Sequence, residues 1–362
     1  MPTTHMYSPG ARFLFIAAAF IIVVAGLRAA EAIIVPFLLS LFVAVISTPY
    51  LFWLQSRKIP NTLALLIVMA TVLAAITLIA IFIGGSLNDF SKAMPSYQAR
   101  LQDDLSAALN WLTSHGIALP MAEIKESFDP GMAMGLVGTL FASLNGVLTN
   151  AFFILLTTSF ILLEASSFPQ KIRSILDDPD ASLGHFSTLT DNVKRYIAMK
   201  TAVSLLTGAV IAVWLAIIGV DYPLLWGLLA FFFNYVPNIG SIIAAVPAVF
   251  LALVQSGMTL ALGAAAGYII VNVVVGNIVE PRLMGRSLGL STLVVFLSLV
   301  FWGWVLGPTG MLLSVPLTMV VKIALESHDK THWLAIMLGS EHDTQMAAKK
   351  KPDKIEVKDI TS

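Results

Sequence analysis

Residues suited to holding a solute gather in two short stretches. NYVPNIG brings together Asn234, Pro237, Asn238 and Gly240, and GPTG brings together Gly307, Pro308 and Gly310. Proline removes a backbone donor and glycine loosens the chain, so each stretch interrupts a helix and frees backbone N–H and C=O groups. Amide side chains beside such groups both donate and accept hydrogen bonds. The chemistry this suits is capture of a small, polar, uncharged molecule. Asn272, Asn277, Glu280 and Arg282 form a third group. Near a membrane, a carboxylate and a guanidinium can bind solute or lock a conformation, although they also serve as an interfacial pair ending a helix. Asn272 has a packing role open to it as well, a hydrogen bond to a neighbouring helix.

Signals for covalent chemistry are absent. HDKTH (His328–His332) lacks the second-position glutamate of a metalloprotease helix and reads as a solvated helix. DDPD (Asp177–Asp180) has no calcium-loop spacing and reads as a turn. No Ser-His-Asp set or glycine-rich phosphate loop has a credible setting, and there is no cysteine. The expectation is a protein that is not an enzyme, with no cofactor, no metal and no ATP-driven step of its own. The balance of 21 basic and 21 acidic residues argues against a nucleic-acid partner.

The elements that position these residues are membrane spans. Of 362 residues, 57% are apolar and 12% charged, and the mean hydropathy is +0.87. Runs of about 20 apolar residues, enough to cross the hydrocarbon, occupy 11–28, 32–54, 61–87, 138–164, 201–220 and 259–279. Arg28 interrupts the RAAEA segment that follows the first run, so this run reads as a retained helix and not a cleaved signal. Two further stretches, 222–257 and 287–321, contain no Asp, Glu, Lys or Arg. As single helices they would each run about 50 Å, more than a bilayer needs. Each carries one of the breaking motifs at its middle and a Val-Pro further on, Pro247 and Pro316, which are taken as further helix breaks or hinges.

Charge sets the direction. Lys171, Arg173, Lys194, Arg195 and Lys200 crowd 166–200, and lysines crowd the C-terminal tail, whereas 88–137 is acid-rich. By the positive-inside bias, both termini and 166–200 face the cytoplasm and 88–137 faces outward. Arg282 and Arg286 fall inside if 222–257 and 287–321 each enter and return. The resulting expectation is an all-α polytopic membrane protein with about eight hydrophobic segments: six full spans and two oppositely oriented, broken re-entrant hairpins.

The chain then divides into three scaffold helices in 1–87 and an outer amphipathic helical region in 88–137. A fourth span follows at 138–165, a cytoplasmic amphipathic segment at 166–200, a transport core at 201–326 and a polar cytoplasmic tail at 327–362. Phe90, Met94, Tyr97, Leu101, Leu105, Ala108 and Leu112 mark one face of the outer helix. Gly263 and Gly267 form a GxxxG pair expected to pack. A span plus a hairpin, repeated with opposite orientation, is the layout of inverted-repeat secondary transporters.

NYVPNIGSIIAAVPA, GNIVEPRLMGRSLGLS (Gly276–Ser291) and GWVLGPTGMLLSVPLTMVVK (Gly303–Lys322) resemble the three signature blocks of the autoinducer-2 exporter family, over roughly 10–330. The chain departs from them at Ser241, where proline is frequent, and at Ser291–Thr292, where His-Pro is frequent. The resemblance implies a bacterial inner-membrane transporter that assembles as a homo-oligomer, with a pentamer among the implied states. It implies an exporter of a small-molecule substrate of the autoinducer-2 kind, a quorum-sensing furanone. The two opposed hairpins, with tips meeting at the midplane, suit an elevator in which 201–326 moves against the earlier spans. Two alternatives stay open. A sodium(or lithium)/proton antiporter needs an intramembrane carboxylate, and only Glu164, Asp221 and Glu280 stand at span ends. A non-transporting scaffold gains nothing from exposing backbone at the membrane midplane.

Overall fold

The computed structural model describes residues 8–115, 150–165, 171, 179–237, 239–284, 290–327 and 331–339. Among these no strand occurs, and the chain is helical almost throughout. Five helices are long and apolar enough to cross a membrane, and three shorter apolar helices accompany them. Their outward faces are greasy: Phe13, Ile16 and Ile22 are 71%, 70% and 71% exposed. Large apolar side chains presented in rows have hydrocarbon as their natural solvent. The protein is a multi-pass membrane protein.

The chain folds as two compact units. The first holds α1 (Pro9–Ala29), α2 (Glu31–Ser56), α3 (Asn61–Ser114) and α4 (Ala151–Glu164), joined by the later segments Phe250–Leu260 and Phe301–Met311. Pro36, Ser40, Ala44, Ser47, Leu51 and Leu54 recur at three- and four-residue steps and bury one face of α2. Small residues there let α4 approach, and the buried Thr158 hydroxyl donates to the Ser40 carbonyl at 3.2 Å. Ala64, Leu65, Val68 and Leu162 extend this core.

α3 differs from expectation. The third span and the outer amphipathic stretch form one helix of 54 residues, about 80 Å long. Neither Gly84–Gly85 nor Pro95 ends it, because a lone proline removes one hydrogen bond from a rod held by many. Phe90 and Tyr97 of the expected face are buried, with ring centroids 6.2 Å apart.

The second unit holds α5 (Pro179–Ile218), α6 (Pro223–Phe233) and the flanks of α7 (Gly240–Val274). It continues through a π-helical turn (Val275–Val279), α8 (Glu280–Met284), the first part of α9 (Thr292–Leu312), α10 (Ser314–Glu326) and α11 (His332–Leu338). α5 also joins two expected pieces, since no break separates the segment before residue 200 from the span after it. It ends at Gly219, whose φ of 82° lets Val220 N–H reach the Leu215 carbonyl at 2.9 Å, the double-bonded glycine stop of helices. Tyr222 and Pro223 then start α6, which returns along α5. The contact needs glycine: a Cβ on Gly208 would lie 2.6 Å from the Gly227 carbonyl oxygen, and one on Gly227 2.6 Å from Ala212 Cβ. The GxxxG pair packs against a ring, with Trp214 Nε1 donating to the Gly263 carbonyl at 3.0 Å and the indole filling the space over Gly267.

Breaks occur at the expected motifs, and of the two expected prolines Pro316 lies beside one and Pro247 does not. α6 ends at Phe233, turns follow at 234–237, and α7 begins at Gly240. α9 is interrupted at Leu306–Gly307, where Gly307 has φ 62°. A further break, absent from the expectation, falls at Ser256–Gly257 with Gly257 at φ 78°. Pro247 is corrected, because α7 runs helically through it, whereas Pro316 stands in the first turn of α10, just after the helix breaks between α9 and α10 at Leu313. An N–H in a first turn has no helical partner to lose, so proline is tolerated there.

Candidate functional site

α5 carries the polar side of the site. Lys200, Ser204, Thr207 and Ile211 follow one another at steps of four, three and four, on one face of the helix. All are buried, Ser204 completely. Hydroxyls on a buried membrane helix satisfy themselves on the preceding turn, as Thr207 does with the Val203 carbonyl at 2.9 Å. Their remaining capacity is open to neighbours. Asn234, at the end of α6, donates from Nδ2 to Ser204 Oγ at 2.9 Å, and Tyr235 donates to Thr201 Oγ1 at 2.8 Å. After Asn234, whose N–H still reaches the Ala230 carbonyl, the bonds of Tyr235 and Val236 tighten to the third residue back, and the two consecutive side chains of Asn234 and Tyr235 reach the same helix.

A narrow pocket opens beside this contact. Thr207, Ile211, Ala230, Asn234, Ser241, Tyr268, Val271 and Asn272 line it, all from the second unit. It has room for about one water molecule, so a larger guest must widen it. Tyr268, 5% exposed, ends in a hydroxyl with no hydrogen-bond partner among the described residues. Burying such a group unpaired costs roughly 1–3 kcal/mol. The lining holds two amides, three hydroxyls and no charge. It can bind a compact neutral molecule with several oxygens, and an ion would find no counter-charge there.

The structure brings Asn234 and Asn272 together in this pocket. Gly240 opens α7 one residue before Ser241 of the lining, and Pro237 lies half-buried in the preceding turn. Asn238 and Arg286 lie outside the described residues. Asn277 is exposed on the π-helical turn. Gly307, Pro308 and Gly310 belong to the other unit.

Glu280 does not pair with Arg282, which is exposed on α8. Side chains two apart on a helix point in different directions. Lys200 pairs with Glu280 instead, Nζ to Oε1 at 2.6 Å, with side-chain exposures of 5% and 24%. No group of three metal-ligating side chains occurs among the described residues.

Tyr268, Thr207, Ser241 and Lys200 are the residues sequence reasoning missed. The four- and three-residue spacing of Lys200, Ser204 and Thr207 was a legible signal. A tyrosine within an apolar run gave none, because such residues commonly serve as interface anchors.

Residues 13–330 match the family described as AI-2E family transporter. AI-2 transport protein TqsA of Escherichia coli (strain K12) is 41% identical over 330 residues, covering 91% of this chain and 96% of that protein. A Haemophilus influenzae protein, named only as a candidate transport protein, is 40% identical over 332 residues, covering 90% and 95%. A candidate transport protein of Escherichia coli (strain K12), YhhT, is 36% identical over 339 residues, covering 94% and 97%.

Proposed function

The chain belongs to the AI-2E transporter family, and on that premise we propose that it is a secondary transporter of a small, neutral, oxygen-rich molecule of the autoinducer-2 kind. One observation carries the substrate class: the orphaned Tyr268 hydroxyl in an uncharged pocket with Asn234 and Asn272. A buried donor left unpaired by the fold is suited to a guest that supplies the missing partner. The name of the Escherichia coli relative points to AI-2 as the first molecule to try.

In this reading the stretches 222–257 and 287–321 are re-entrant hairpins entering from opposite faces, with tips at Pro237–Gly240 and Gly307–Gly310. The parts of 201–326 that fold in the second unit move against a scaffold of the earlier helices, carrying solute in the manner of an elevator. The protein sits in the inner membrane with both termini cytoplasmic and works as a homo-oligomer that supports the scaffold. Breaks at both motifs, and glycines that no larger residue could replace, support the hairpins.

The test is transport into sealed vesicles with AI-2, related furanones and polyols, using the full chain and Tyr268→Phe. Because the hydroxyl has no partner among the described residues, its removal should leave thermal stability unchanged or raised. Transport should fall about tenfold, the equivalent of about 1.4 kcal/mol. Unaltered AI-2 transport by Tyr268→Phe would remove the pocket from the mechanism.

A further inference from the structure

α5 and the later part of α7 run antiparallel through the second unit, and their contacts fall in order along the seam. Gly263 meets Ile218 and Trp214, Gly267 meets Trp214, and Tyr268, Val271 and Asn272 share the pocket with Ile211 and Thr207. The Lys200–Glu280 pair is the next layer. Ser204, holding Asn234, stands one turn from it on the pocket side. On the other side, Lys194 and Arg195 are exposed within two turns. The pair therefore lies between the pocket and a charged, exposed stretch of α5. The π-helical turn Val275–Val279 aims Glu280 into this seam. In an unbroken α-helix, residue 280 would stand about 80° round the axis from Asn272. Hydrogen bonds that reach one residue further wind the chain more slowly, which brings Glu280 back toward the face of Asn272.

We propose that Lys200 and Glu280 are the gate that shuts the pocket from this side; this rests on the transporter reading above. A pair that only held two helices together would not need charge, because apolar residues of the same volume hold as well or better. What charge adds is a bond that water can open. With the pair closed, Nζ and Oε1 stand 2.6 Å apart and Lys200 is 5% exposed, so no solute passes. When water enters, each ion exchanges the other for hydration, and the desolvation that opposed burial of the pair now favours its opening. Lys200, Ser204 and Thr207 then present an ammonium and two hydroxyls along one face of α5, a polar lane in a helix otherwise written for lipid. A neutral, oxygen-rich solute finds hydrogen-bond donors along that lane. It meets no net charge, since ammonium and carboxylate both stay there.

Neighbouring contacts let the pair part without loosening the helices. Tyr235 donates to Thr201 at 2.8 Å, and Tyr196 is buried one turn before Lys200. α10 packs on α5 and buries Ser314 and Thr318. These contacts do not involve the ion pair, so opening moves two side chains and not the fold.

The chain has no cysteine, so Thr207→Cys places a single thiol in the pocket of the full protein. In sealed vesicles, a membrane-impermeant methanethiosulfonate added to one side at a time reports from which side that thiol is reached. Lys194→Cys, in a separate sample, identifies the side on which its stretch of α5 lies. Lys200→Ala/Glu280→Ala then removes both charges together and leaves no unpaired ion. From the Lys194 side it should speed labelling of Thr207→Cys about tenfold, and from the other side it should leave the rate within about twofold. An unchanged rate from the Lys194 side, or an equal rise from both, overturns the gate. A second variant, Lys200→Cys/Glu280→Cys, is bridged by a short bifunctional methanethiosulfonate. Bridging should cut AI-2 flux about tenfold or more, and a reductant should restore it in the same vesicles. Flux that persists in the bridged protein also overturns the gate. A wild type that moves no AI-2 defeats the substrate reading instead, and the labelling rates then decide the gate.

Discussion

The break after α6 and the break within α9 meet the same backbone demand with different chemistry. At each, a glycine sits where a Cβ would run into a carbonyl oxygen of the preceding arm, Phe233 for Gly240 and Trp302 for Gly310. At each, the same Cβ would crowd the residue four positions earlier, Val236 or Leu306. The first break then turns amides and hydroxyls inward, through Asn234 and Tyr235. The second is dressed in rings and charge. Gly303 leaves space for Met311, Arg28 lies 4.8 Å from the centre of the Trp304 ring, and Phe20 stacks on Phe301 at 6.2 Å. The same local break thus supplies a polar contact in one place and an anchored corner in the other. The repeat fixes the backbone, and the side chains fix the role.

The shared demand is broken most directly by Gly240→Val and Gly310→Val. Both add atoms against backbone that cannot rotate away, so each should cost about 3 kcal/mol or more, read as lost folded yield and a lower melting temperature in detergent. If either variant melts like the wild type, the close approach at that break is not required. A smaller effect should separate the two breaks. Asn234→Leu should cut transport about tenfold with modest loss of stability, because it strips the Ser204 contact and a pocket amide at once. The matched change at the second break, Trp304→Leu, should leave initial transport rates within about twofold. Equal losses in vesicle flux would erase the distinction drawn between the breaks.

Gly307→Ala comes next. Its φ of 62° and the Glu31 carboxylate oxygen 3.2 Å from the added methyl predict strain of about 1–2 kcal/mol. A thermal shift at unchanged substrate affinity is the expected signature. The smallest effect belongs to Arg28→Gln, which removes the charge over Trp304 and should cost about 0.5–1 kcal/mol. It is best measured against Trp304→Leu in a double-mutant cycle.

How much of this was legible in the sequence differs from one residue to the next. Gly240, Gly307 and Gly310 announced their breaks through glycine and proline in runs otherwise written for lipid. Pro247 made the same announcement falsely, since proline within an established helix need not stop it, whereas Pro316 follows the passage from α9 to α10 at Leu313. The boundary after residue 87 was drawn where hydrophobicity fades. A helix does not end where its solvent changes, and α3 continues to Ser114 with Phe90 and Tyr97 buried along the way. The Ser256–Gly257 break had only a glycine to mark it.

From the sequence by itself came the all-helical membrane class, the positions of two breaks and the family resemblance. These follow from composition, spacing and residue type, which act locally or through the solvent. Tertiary structure alone decided that Lys200, 80 positions away in the chain, takes Glu280 in place of neighbouring Arg282. It alone placed Asn234 with Asn272 in one lining and left the Tyr268 hydroxyl of that lining without a partner among the described residues. Which polar groups meet, and which are left over, depends on how helices pack side by side. That packing is selected by small residues such as Gly208 and Gly227, whose significance appears only once the facing backbone is known.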